Sequence, residues 1–249
     1  MDAFATIYFH GLPGSVAELG LFGPLPGGKA WHFPDRAAAA RAPDPFGAMA
    51  DGLVARFPDA RFDLAGFSLG GAAALRVAAR LGERVQSVVG IAAAAPLQLG
   101  DFLPGMAGAP VFRAAMVPWR FALLARVHGA MARVAPGAMR SMLFAAARGE
   151  DRTLAADPQF CARIENILRQ SLADDPRAYR REVPLYVADW SEDLDRVRCP
   201  VTLWQGEADD WVPPAMADAL AARLPGGAQI RRLPGLSHYS TLRHYLRGG

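Results

Sequence analysis

The chain is poor in the features that mark several broad protein classes. Its 249 residues include only two cysteines, Cys161 and Cys199, and neither has a His or Cys neighbour at ligand spacing. A disulfide framework and a zinc site are not indicated, and both thiols read as buried small hydrophobes. No apolar stretch is clean enough for a bilayer. The windows at 85–97 and 111–132 are broken by Gln86 and Ser87 and by Arg113, Arg120 and Arg126, which argues against a membrane span. Charge is also modest. The net value is +3, the arginines are scattered without aromatic interleaving, and nucleic acid is not the expected partner. Met1-Asp2-Ala3 leads into a strand-like run with neither a basic segment nor a small-residue cleavage site. This pattern predicts no secretory signal and a soluble, cytoplasmic protein.

What the sequence does have is apolar content arranged in alternation. With 52% hydrophobic and 20% charged residues, a chain of this length can bury one large core. Short β-like runs at Phe4 to Phe9, Ala30 to Phe33, Arg61 to Phe67, Val85 to Ile91, Val201 to Gln205 and Ala228 to Leu233 alternate with helical patterns. Several runs are continuously apolar, as strands buried on both faces must be, so the fold class is α/β with a mostly parallel sheet. Asp44-Pro45 opens a helix to about Phe57 as N-cap and first helical residue. Pro213-Pro214 opens another that Pro225-Gly226-Gly227 stops. Between them the alternation breaks. Residues 97–190 contain no strand-like run and show helical patterns at Val111 to Val134, Ala138 to Arg148, Pro158 to Ala173 and Pro176 to Val187. The expected organisation is a core of 1–96 and 191–249, with 97–190 as an all-helical cap over the sheet's active end.

The most informative stretch is Gly66-Phe67-Ser68-Leu69-Gly70-Gly71, preceded by a strand-like run and followed by the helix former Ala72 to Leu81. A serine in this G-x-S-x-G setting sits on a tight turn that leaves no room for side chains two positions either side. A serine hydroxyl is a poor nucleophile alone, so it requires a base and an orienting acid. Asp209 and Asp210 follow the strand at Val201, and His238 follows the last strand. The spacing after Gly206 favours Asp209 as the acid, although a one-residue change in the loop would exchange it for Asp210. His32, His128 and His244 fall in a strand, in the cap and in the final helix, which leaves His238 as the base. Asp35, Asp189 and Asp193 read as caps or surface groups. The segment His10-Gly11-Leu12-Pro13-Gly14 follows the first strand, where one oxyanion donor is needed. The donors assigned are the backbone amides of Leu12 and Leu69, and His10 reads as a structural brace for its loop.

His10-Gly11-Leu12-Pro13-Gly14, Gly66-Phe67-Ser68-Leu69-Gly70-Gly71, Gly206-Glu207-Ala208-Asp209 and Ser237-His238, in that order, resemble the α/β-hydrolase superfamily. The resemblance implies an eight-stranded sheet or a trimmed version, a helical cap after the strand near Ile91, and hydrolysis through an acyl-enzyme. Two features depart from it. Only nine residues precede His10, so the sheet is expected to lack its first hairpin. Pro34-Asp35-Arg36-Ala37-Ala38 also lacks the glycine-rich turn common in relatives.

The expected reaction cleaves a carboxylic ester or thioester of a small molecule through Ser68, Asp209 and His238, with no cofactor or metal. Bulky apolar cap residues, among them Met116, Trp119 and Met142, are candidates for the substrate pocket. The rival readings are a proline-type aminopeptidase using Glu165 or Glu182, a carbon–carbon bond hydrolase or lyase using Arg113 or Arg120 as a carboxylate clamp, and a ligand receptor that binds in the same pocket.

Overall fold

The interior strand-like runs are apolar enough to be largely covered on both faces, and the computed structural model, which describes residues 4–25 and 30–248, assembles six runs into one sheet whose edge strands are half-buried or exposed. The strands are β1 (Phe4–Phe9), β2 (Trp31–His32), β3 (Arg61–Phe67), β4 (Val85–Ile91), β5 (Val201–Gly206) and β6 (Gln229–Leu233). Their order is β2-β1-β3-β4-β5-β6, and every pairing is parallel. Parallel neighbours need crossover connections, which is why helices cover both faces. Met1-Asp2-Ala3, read as leading into the first strand, lies outside the described residues.

The core helices follow their sequence signals. A single helical turn, α1 (Arg36–Ala39), is capped by Asp35, whose carboxylate accepts from the Ala38 amide at 2.8 Å. Next comes α2 (Pro45–Arg56), capped by Asp44 through the Phe46 amide at 3.1 Å. Leu69–Leu81 forms α3, buried along most of its length by small side chains. After the insertion come the short α10 (Ser191–Leu194), then α11 (Ala215–Arg223) and α12 (His238–Leu246). Phe9, Phe62, Leu64, Leu75 and Ile91 are among the fully buried side chains between sheet and helices.

Between β4 and β5 the described chain is helical, as anticipated, but its segmentation differs. The helices are α4 (Ala109–Ala115), α5 (Pro118–Val134), α6 (Pro136–Leu143), α7 (Asp151–Ala156), α8 (Pro158–Arg169) and α9 (Arg177–Val187). The pattern from Val111 to Val134 is broken at Pro118, which starts a new helix because its ring removes the amide that would continue the old one. The pattern from Ala138 starts two residues earlier and stops at Leu143, and α7 was not anticipated. After α8 the chain passes into a π-helical turn at Gln170–Asp174. There the Ser171 hydroxyl accepts from the Gly14 amide at 3.0 Å. Both cysteines are only partly buried and carry free thiols, which corrects the expectation of full burial. No described helix is long and apolar enough to cross a membrane.

Candidate active site

Ser68 stands alone between the end of β3 and the start of α3, with φ 56° and ψ −125°. L residues rarely hold this region, at a strain of about 1–3 kcal/mol, so the surroundings must over-determine it. They do so through the backbone. The Ser68 amide donates to the Ile91 carbonyl at 2.9 Å, and its own carbonyl accepts from Gly71 at 2.9 Å and Ala94 at 3.2 Å. The flanking glycines are required by contact. A Cβ at position 66 would lie 2.3 Å from the Gly70 carbonyl oxygen, and one at position 70 would lie 2.1 Å from that of Phe9.

The loops after β5 and β6 are pressed together. Amides of Glu207 and Ala208 donate to the carbonyls of Leu233 at 3.1 Å and Leu236 at 2.9 Å, and a Cβ at Gly206 would meet the Leu236 oxygen at 2.5 Å. This contact delivers Asp209 to His238, with Oδ2 to Nδ1 at 2.8 Å. The other carboxylate oxygen, Oδ1, accepts from the amides of Trp211 and Val212, each at 2.9 Å. Asp210 instead lies 3.8 Å from the guanidinium of Arg148. Burial, reinforced by the neighbouring Asp209, pushes the Asp210 carboxyl up. For His238, burial alone would depress the imidazole. The attraction and hydrogen bond of Asp209, with smaller pulls from Asp151 and Asp210, outweigh that and leave it raised.

His238 packs on Phe67, the residue before Ser68, with ring centroids 4.5 Å apart, and faces Trp211 at 6.3 Å. The Ser68 hydroxyl makes no hydrogen bond among the described residues. Ser68 opens into a cavity of about 70 Å³ walled by Leu12, Leu69, Phe112, Met139, Leu143 and Trp211. The helical segment between β4 and β5 contributes one polar pair to this wall, His128 Nδ1 and the Tyr179 hydroxyl at 3.1 Å. Burial lowers the His128 imidazole.

The pocket residues anticipated from composition are corrected here. Met116, Trp119 and Met142 are 51%, 66% and 59% exposed and do not line this cavity. The reason is helical phase. On α6, Met139 and Leu143 share the inward face, and Met142 is rotated to its outer flank. The carboxylates and cations weighed for other substrates are also committed or distant. Glu182 is buried in a two-bond ion pair with Arg36, at 2.7 and 2.9 Å. Glu165 pairs with Arg140 at 2.9 Å, and Arg113 and Arg120 are exposed. Asp189 accepts from the Ser191 amide, and Asp193 pairs with Arg76 and Arg80.

A second layer braces the loop that carries Leu12. Buried Glu18 accepts from the Tyr8 hydroxyl at 2.7 Å and from the Gly11 amide at 3.1 Å on both oxygens. Burial raises its carboxyl to about 7, against the opposing pull of those bonds and of Arg36. Arg36 reaches His10 at both its ring nitrogen and its carbonyl. Desolvation, with Arg36 adding to it, lowers the His10 imidazole to about 3, so at neutral pH His10 is an uncharged brace. Glu18, His128 and Tyr179 were not singled out from the sequence for this site, because only tertiary contact brings them to it.

A six-stranded parallel sheet with a serine on a strained strand–helix turn and a loop-borne Asp–His pair defines a protein of the α/β-hydrolase type. A family model described as "Alpha/beta hydrolase family" matches residues 7–246, and the chain belongs to that family. Among solved structures it is similar to the bromoperoxidase from Bacillus anthracis, with 16% identity over 99% of this chain and 90% of that one and a TM-score of 0.67. It is also similar to Est816, an N-acyl homoserine lactone degrading enzyme, with 16% identity, 99% and 93% coverage and a TM-score of 0.65. A thermophilic esterase from Thermogutta terrifontis matches with 17% identity, 99% and 90% coverage and a TM-score of 0.61. No curated protein matches the sequence significantly.

Proposed function

We propose that the protein is a serine hydrolase that cleaves a small carboxylic ester or thioester with an apolar acyl or alcohol part. The observation that carries this reading is the Asp209–His238 contact at 2.8 Å, held beside a strained serine that opens into an apolar cavity. In the proposed reaction His238 Nε2 takes the proton of Ser68 Oγ, and the hydroxyl oxygen attacks the substrate carbonyl carbon. Asp209 fixes the imidazole with Nδ1–H towards the carboxylate, so that Nε2 is free to accept. The oxyanion forms against the amides of Leu12 and Leu69. Leu69 is the first residue of α3, whose first amides have no partner within the helix. Collapse expels the alcohol or thiol, protonated by His238. Water activated by the same imidazole then releases the acid. The serine–imidazole contact has to close in the reacting complex, and catalytic bonds of this kind tighten when substrate is bound.

The cavity size supports a small reacting part. About 70 Å³, where roughly 10–15 Å³ holds one water, accommodates a short acyl chain better than a long lipid tail. The commitment of Glu165 and Glu182 to arginines weighs against an aminopeptidase, and the exposure of Arg113 and Arg120 weighs against a carboxylate-clamping lyase. Ser68→Ala should abolish p-nitrophenyl butyrate turnover, and a fluorophosphonate probe should label the wild type at Ser68. Wild-type rates in Ser68→Ala would overturn the proposal, and an unlabelled but folded wild type would favour a ligand receptor.

A further inference from the structure

Beyond the serine, the imidazole and Asp209, another side chain, itself buried, grips the helix that carries the base. Asp151, 3% exposed, reaches from the helical insertion. Its Oδ2 accepts from the Tyr239 amide at 2.9 Å and its Oδ1 from the Ser240 amide at 2.7 Å. These are first-turn amides of α12, whose first residue is His238. Such amides lack intrahelical partners, and a carboxylate there also complements the positive end of the helix. A cap is ordinarily supplied by the residue just before its helix, but this one comes from 88 residues away in sequence.

The contact is part of a strap. The Glu150 amide donates to the Gly235 carbonyl at 3.1 Å, and Glu150 pairs with Arg243 on α12. Gly149, at φ +50°, approaches so closely that a Cβ would lie 2.3 Å from the Gly235 oxygen and 3.1 Å from the Ala208 side chain. Residues 149–151 therefore touch the loop that carries the acid, the loop that carries the base, and the first turn beyond the base.

We propose that Asp151 is a positioning residue for His238, holding α12 and its imidazole in register with Asp209 and making the helical insertion a working part of the catalytic relay. The inference rests on the reading of His238 as general base. A purely structural cap would account for the two hydrogen bonds but would not act on the imidazole's charge. The charged groups that face His238 are Asp209, Asp151 and Asp210, with Glu18 also coupled to it and Arg148 beside Asp210. Asp151 is the one among them that comes from the insertion and bonds to α12. Burial raises the Asp151 carboxyl against the pull of the Ser240 and Tyr239 hydrogen bonds, and in its ionised form it favours the protonated imidazole.

The test is the titration of the His238 imidazole by NMR, together with the pH dependence of fluorophosphonate inactivation, in wild type, Asp151→Asn, Asp151→Ala and the control Glu150→Gln. Asparagine keeps an acceptor oxygen and removes the charge. The imidazole midpoint and the acid limb of inactivation should both move to lower pH in Asp151→Asn and stay in place in Glu150→Gln. Asp151→Ala should in addition inactivate about tenfold more slowly on the plateau, because the base is less well held. An unmoved imidazole midpoint in folded Asp151→Asn would overturn the proposal. If the variants do not fold, amide hydrogen exchange of the wild type decides: Tyr239 and Ser240 should be protected to the level of the insertion helices, and exchange at loop rates would refute the grip. A wild type that is never labelled at Ser68 would sink the nucleophile reading, while the imidazole titration would still judge Asp151.

Discussion

Replacing Asp209 by asparagine is the sharpest perturbation of the proposed relay, because the surrounding hydrogen bonds dictate how the new amide must sit. Oδ1 of Asp209 already accepts from the Trp211 and Val212 amides, each at 2.9 Å. In Asp209→Asn the side-chain oxygen must stay there, since turning the new NH2 group towards two N–H donors would leave three donors facing one another. The NH2 group is thereby forced towards Nδ1 of His238, 2.8 Å from the present Oδ2. Nδ1 then becomes the acceptor and the ring proton moves to Nε2, where it blocks uptake of the serine proton. A wrong tautomer with otherwise intact geometry lowers kcat by roughly 10⁴ in serine hydrolases with this relay. At about 1.36 kcal/mol per tenfold, that is roughly 5.4 kcal/mol of barrier. Steady-state hydrolysis of p-nitrophenyl butyrate at pH 8, with a melting curve to verify folding, measures it. Asp210→Asn is the matched control. Its carboxylate lies towards Arg148 and makes no bond to the imidazole, so the variant should stay within about threefold of wild type. The reasoning fails if folded Asp209→Asn keeps more than a tenth of wild-type kcat, or if Asp210→Asn falls as far.

Two further outcomes follow from the second layer and the pocket. Burial raises the Glu18 carboxyl from an ordinary 4.5 to about 7, so the folded protein holds a proton that the unfolded chain has released. Stability should therefore decline as pH rises between those values, by up to about 3 kcal/mol, and stay level above them; chemical denaturation from pH 4.5 to 8 should show a shallower decline in Glu18→Gln. Phe112 is 7% exposed and packs on Tyr186 at 5.1 Å. Phe112→Ala should lower stability by about 3–5 kcal/mol and shift the acyl-chain optimum to longer esters, and an unchanged optimum in a chain-length panel would remove Phe112 from the pocket wall.

What could be read from the sequence followed from local constraints. The interior strands fall within a residue of their apolar runs, because most of their positions are buried and few polar residues interrupt them. The run at Ala30 shrank to Trp31–His32, an edge strand whose half-buried side chains give the pattern no contrast. Insertion helices were mis-segmented where alanine-rich propensity ran through Pro118 and past Leu143. The loops bearing Asp209 and His238 were identifiable because each follows a strand, and the choice between Asp209 and Asp210 turned on amides that only the folded loop presents. Asp151, Glu18 and His128 carry no local signature: a buried carboxylate that grips a distant helix looks, in sequence, like any acid at a helix start.

The buried Arg36–Glu182 pair joins the turn after β2 to α9, and the strap at 149–151 fastens the middle of the insertion to α12. Severing the Arg36–Glu182 pair would leave an uncompensated buried ion at about 3–5 kcal/mol, and releasing the strap would strip the buried Asp151 carboxylate of its two amide donors. The insertion is thus tied at two places, to the turn after β2 and to α12. With these ties, heating should melt the insertion together with the sheet in one event by differential scanning calorimetry rather than ahead of it.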